Sequence, residues 1–107
     1  MLKKIYSVKS LAREVRDFLS PYIDVERIII FGSYAQGKSR SDSDIDIAVI
    51  SKDFEKMRLL EKIYLLARVP VSIDSRIEMI GFSYKDFQHP PQASLLDMIK
   101  RKGKVII

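Results

Sequence analysis

One stretch, residues 28–50, IIIFGSYAQGKSRSDSDIDIAVI, limits what this chain can fold into more than any other. It opens with Ile28, Ile29 and Ile30, closed by Phe31, and ends with a second apolar run from Ile45 to Ile50. Both runs are short, β-branched and bounded by turn signals, which predicts two buried strands. Asp44 and Asp46 stand at the mouth of the second run. Residues two apart on a strand face the same side, so these carboxylates point together. Adjacent carboxylates resist joint ionisation, and a divalent cation removes the conflict. Oxygen-only ligands suit Mg²⁺, with Mn²⁺ as the alternative. Asp42 shares their parity but falls in the turn before the strand, so it and Ser43 read as turn formers.

Gly32-Ser33 supplies the other half of a candidate site. A glycine ending a buried strand lets the backbone bend sharply and lets a ligand approach closely. A short helix is expected over residues 33–37, its free N–H groups and positive dipole end directed at phosphate. The Ser33 hydroxyl adds a donor. Lys38 and Arg40, in the loop that follows, have the chemistry to meet phosphate oxygens. Gly32, Ser33, Lys38 and Arg40 are therefore candidates for holding a nucleoside triphosphate, with Asp44 and Asp46 on its metal.

Gly32-Ser33, ten intervening residues, then Asp44-Ile45-Asp46 resemble the signature of the polymerase-β-like nucleotidyltransferases. The chain is most similar to the minimal nucleotidyltransferase (MNT) group, over roughly residues 5–90. The resemblance implies an α/β fold: a small mixed β-sheet with helices packed on one face, in one domain over residues 1–107. It implies a two-metal Mg²⁺ site, ATP as donor, and AMP transfer to a hydroxyl of a partner protein. It implies a HEPN-family partner, with this chain as the antitoxin of a toxin–antitoxin pair; the sequence is compatible with a homo- or hetero-oligomer and does not fix the oligomeric state. It also implies a third catalytic carboxylate on a neighbouring strand. In similar proteins that acid stands about five residues before a Ser or Thr that caps the next helix. Glu78 has that spacing to Ser83, and Asp74 is the runner-up. Gln36 stands where the family often carries arginine. Two other classes fit the residues: a contact-only nucleotide- or partner-binding module, and an RNA-directed nucleotidyltransferase.

Around this centre, residues 7–20 read as an amphipathic helix with Ser7 as N-cap and Pro21 beyond its end. Residues 54–68 read as a second helix, with Met57, Leu60, Ile63, Tyr64 and Ala67 on one inward stripe, broken by Val69-Pro70. Residues 71–80 alternate as a third strand. Residues 82–88 read as a short helix and 93–101 as a last one, with Leu95, Leu96 and Ile99 inward. The tail Val105-Ile106-Ile107 suits an edge strand or a partner contact. His89, the one histidine, reads as a loop bystander.

Composition narrows the class. Hydrophobic residues at 47% and charged residues at 31% are a globular balance. The apolar runs are too short to span a membrane, and no signal peptide is legible. With no cysteine there is no disulfide or thiolate site, which fits a cytoplasmic protein. A net charge of +5 suits an anionic ligand. The basic residues are not interleaved with exposed aromatics, so nucleic acid is a less favoured partner.

Overall fold

The computed structural model describes residues 7–37 and 43–107. Helix α1 (Val8–Leu19) begins at Ser7, whose hydroxyl accepts from the Ser10 N–H at 3.1 Å. Leu11, Ala12, Val15 and Leu19 recur at three- and four-residue steps and are buried together. Strands β1 (Arg27–Phe31) and β2 (Ile45–Ser51) pair antiparallel, as a hairpin requires. Strand β3 (Ile77–Ser83) runs parallel to β2, so the chain must cross over between them. A 3₁₀ turn (Lys52–Glu55) and helix α2 (Leu59–Ser72) make that crossover. Helices α3 (Tyr84–Gln88) and α4 (Leu95–Lys102) follow, and β4 (Lys104–Val105) closes the chain. The sheet order is β3-β2-β1-β4, mixed in direction. The terminal Val-Ile-Ile takes the edge-strand role: Val105 faces Ile29, and the Ile106 N–H donates to the Ile28 carbonyl at 2.8 Å.

Alternation along the strands divides the core. Ile28, Ile30, Ile45, Ile47, Val49 and Ile77 face α1 and α2. Ile29, Ala48 and Ile50 face the other way, where Leu96 and Ile99 of α4 cover them. The two long helices thus share one face, and α4 adds cover to part of the second. Asp46 and Glu78 have the parity of that second face. Among the described residues, no helix is long and apolar enough to cross a membrane.

Five expectations about these elements are corrected. Phe54 belongs to the 3₁₀ turn, where the Ser51 hydroxyl accepts from the Asp53 N–H at 3.1 Å, and α2 starts only at Leu59. Val69-Pro70 does not break α2, which continues to Ser72. A proline inside a helix loses one hydrogen bond and crowds the preceding turn. Here it sits near the end, while Val69 is buried and the Ile73 N–H still donates to the Val69 carbonyl at 2.9 Å. Residues 71–76 are therefore helix end and turn, and β3 starts at Ile77. The stripe Leu60, Ile63, Tyr64 and Ala67 faces outward, and Leu65, Leu66 and Val69 make the buried side. In α4, Leu95 is exposed rather than inward.

Candidate active site

The sheet brings the acids together at one end. Asp46 is the register partner of Phe31 on β1 and of Glu78 on β3, so it lies between the two neighbouring strands. It is half-buried, whereas Asp44 and Glu78 are exposed. Asp44 directly precedes β2, and the next N–H, that of Ile45, donates to the Arg76 carbonyl at 2.9 Å. That bond pins the start of β2 to the start of β3. The Glu78 carboxyl is held above its ordinary value of 4.5, first by the charge of Asp44. Hydrogen bonding to Asp46, the Asp46 charge, slight desolvation and hydrogen bonding to Asp44 act in the same direction. A protonated Glu78 can donate to its neighbours, and an ionised one repels them. The three groups are thus a charge conflict built into a rigid sheet edge.

Gly32 closes the site from the β1 side. Its φ is +72°, and a Cβ there would collide with the Asp46 carboxylate. Only glycine satisfies both the left-handed backbone and this approach. Residues 32–37 form a run of turns rather than the expected short helix. The Gln36 N–H donates to the Gly32 carbonyl at 3.3 Å, and the Gly37 N–H to Tyr34 at 3.3 Å. A second left-handed glycine, Gly37, ends the run. Ala35 packs into the core, which leaves too little regular backbone for a helix dipole. Any anion binding here comes from individual N–H groups and the half-buried Ser33.

Asp74, the runner-up for the third acid, is not in this cluster by register; it sits in the turn before β3. Arg76 grips it from two sides, Nη2 to Oδ2 at 2.8 Å and Nε to Oδ1 at 3.0 Å. Both side chains are about nine-tenths buried, at 8% and 10% exposure. Arg76 lies two residues before Glu78 in the sequence, and the structure pairs it with Asp74. The D-S-R spacing in a turn was the signal for that pairing. Lys38, Arg40 and Asp42 lie outside the described residues. His89 is exposed beyond α3, past the end of β3 opposite Glu78.

The donor set fits a hard divalent cation, since it consists of carboxylate oxygens whose charges need neutralising. Among the described residues, no three acids, histidines or cysteines come together as a group that could hold a metal ion by themselves. Phosphate oxygens and water would complete the set, as they commonly do for Mg²⁺.

A buried sheet with an acid-tipped β2 beside a glycine-serine bend is the frame of a nucleotide-handling domain. The family described as Polymerase beta, Nucleotidyltransferase matches residues 13–107, and the chain belongs to it. Over 60 residues the chain is 30% identical to a candidate protein adenylyltransferase of Methanocaldococcus jannaschii. That match spans 56% of this chain and 59% of the relative, less than two thirds of its length. The crystal structure of a candidate nucleotidyltransferase from Sulfolobus solfataricus is similar at a TM-score of 0.65 and 26% identity, over 91% of this chain and 77% of that one. A toxin–antitoxin structure with AMP-PNP matches at 0.61 and 24% identity, over 89% and 71%. The tri-AMPylated Shewanella oneidensis HEPN toxin in complex with its MNT antitoxin matches at 0.56 and 21% identity, over 91% and 69%. The last two share the fold.

Proposed function

We propose that this chain moves AMP from ATP onto a hydroxyl of a partner protein. Asp44, Asp46 and Glu78 would hold Mg²⁺, or Mn²⁺, and Gly32 and Ser33 the triphosphate. The observation that carries the reading is Asp46, set in register with Glu78 and pressed against Gly32. Such an arrangement has no packing purpose, because it gathers like charges where strands could have ended in neutral residues. When bound, the metal offsets the acids' charge against that of the phosphates and makes the acceptor hydroxyl more acidic.

The chain's own residues do the rest. The bend at Gly32 lets backbone N–H groups and the Ser33 hydroxyl come within donating distance of the departing phosphates. Asp46, on a strand interior to the sheet, would hold the metal beside that bend. Glu78, exposed and held above the ordinary carboxyl range by Asp44 and Asp46, would complete the acid set on the neighbouring strand. The acceptor oxygen bonds to the α-phosphorus, the bond to pyrophosphate breaks, and the hydroxyl proton passes to carboxylate or water. Positioning and preorganised charge account for the acceleration.

The acceptor is proposed to be a HEPN-type protein, with this chain acting as its antitoxin. Support comes from the candidate adenylyltransferase relative and from the shared fold of an MNT antitoxin beside an AMP-bearing HEPN toxin. The test is to incubate the chain with Mg²⁺, ATP labelled on its α-phosphate and the product of the neighbouring gene. Label on that protein is expected, and label that persists with Asp46→Asn removes the assignment.

A further inference from the structure

Helix α2 carries two apolar faces and buries only one. Leu65, Leu66 and Val69 pack on the sheet. Leu60, Ile63, Tyr64, Ala67 and Val71 form the other face, spaced at helical steps with no charge among them. Leu60 is 61% exposed, Tyr64 68% and Val71 88%. Among the described residues, eight large hydrophobic side chains are left exposed, and four of them, Leu60, Ile63, Tyr64 and Val71, lie on this face, which marks the patch as a covered surface rather than scatter. A helix that is apolar on both sides belongs inside something.

We infer that this face is covered by the same face of a second copy, the two α2 helices crossing antiparallel about a two-fold axis near residues 64–65. The charges beside the stripe carry the choice of occupant. Glu61 and Arg68 lie seven residues apart, two turns along the same flank of the helix. In an antiparallel self-pairing like flanks meet, so Glu61 of each copy faces Arg68 of the partner subunit. A two-fold axis makes that match twice. Arg68 is already held for it: Nη2 donates to the Tyr22 hydroxyl at 3.2 Å, and the guanidinium lies 5.5 Å from the Phe18 ring centre and 5.0 Å from that of Tyr22. It has no acid partner among the described residues. Glu61 has only an exposed contact of 3.8 Å with Arg58. Covering the exposed side chains of this face on both copies removes on the order of 1,000 Å² from water, near the lower end of a standard interface. Asp46 and Glu78 have the parity of the opposite sheet face, while the backbone position of Glu78 on the edge strand borders the groove that Ile63 and Ala67 line.

The test is sedimentation velocity on the full chain and on two single variants, Glu61→Arg and Arg68→Glu. The wild type should sediment at twice the 12.4 kDa chain mass. Each variant alone sets two like-charge pairs across the axis and should weaken the dimer by about tenfold or more. An equimolar mixture of the two variants restores both opposite-charge pairs in the heterodimer and should recover the wild-type mass. Leu60→Glu, at an exposed position, should give a folded monomer with an unchanged circular dichroism spectrum. A wild-type monomer at high micromolar concentration, including one that associates only with a different protein, overturns the inference. So does a mixture no more dimeric than its components.

Discussion

Asp46 and Glu78 face each other in register across two parallel strands, and the charges of Asp44 and Asp46 hold the Glu78 carboxyl above its ordinary range. Folding therefore makes Glu78 bind its proton more tightly than the unfolded chain does. The stability linked to this proton is complete below about 4.5 and is lost as pH climbs through the raised value. Glu78→Gln removes the conflict. Its melting temperature should exceed that of the wild type by a margin that widens over that window and is flat above it. Thermal melts of both proteins between acid and neutral pH, without divalent metal, measure it. A margin that narrows with rising pH would contradict the sign.

The same conflict predicts that Mg²⁺ stabilises the folded chain. In the wild type, millimolar Mg²⁺ should raise the neutral-pH melting temperature, and with Asp46→Asn the rise should shrink or vanish. Transfer activity with Asp46→Asn should fall by at least about 10²-fold, since a lost charge-stabilising group is worth several kcal/mol in the transition state. Initial rates of label transfer read this, with circular dichroism to show the variant folded.

Gly32→Ala tests the close approach. The added methyl meets the Asp46 carboxylate, and the positive φ costs a further 1–2 kcal/mol or about that. The variant should melt lower and lose activity out of proportion to its unfolded fraction, because Asp46 must move. Gly37→Ala, at a similar φ but with open space around it, should share the backbone cost and keep more activity.

Asp74→Ala separates the two candidate third acids. It takes from the buried Arg76 guanidinium the two hydrogen bonds to the Asp74 carboxylate, which should lower the unfolding free energy by about 1.5–3 kcal/mol in urea titrations. Transfer per folded molecule should survive. Glu78→Gln should do the reverse, stable and impaired in transfer.

The centre of the fold was legible because the same residues carry several signals. Ile28–Ile30 and Ile45–Ile50 are too β-branched and too short for anything but buried strands, and Gly32 and Asp46 fix how they end. Ser83 declared itself as a cap, and its hydroxyl accepts from the Asp86 N–H at 3.1 Å. The crossover misled for a physical reason. Periodicity reports that a stripe is apolar, not which body buries it, so the outward stripe of α2 passed for the inward one. Pro70 read as a stop because local rules cannot see that Val69 is anchored in the core. Alternation through Asp74 continued a strand pattern over what is a turn, and the structure holds that acid in a buried pair with Arg76.

The central claim is that the acids and the glycine-serine bend form one cleft for a metal-bound triphosphate. Titration calorimetry with AMP-PNP, with and without Mg²⁺, tests it most directly. The account predicts saturable binding with Mg²⁺, strong weakening by chelator, and loss with Asp46→Asn in a chain that remains folded. Binding that ignores both magnesium and Asp46, or no binding by the folded wild type, would contradict it.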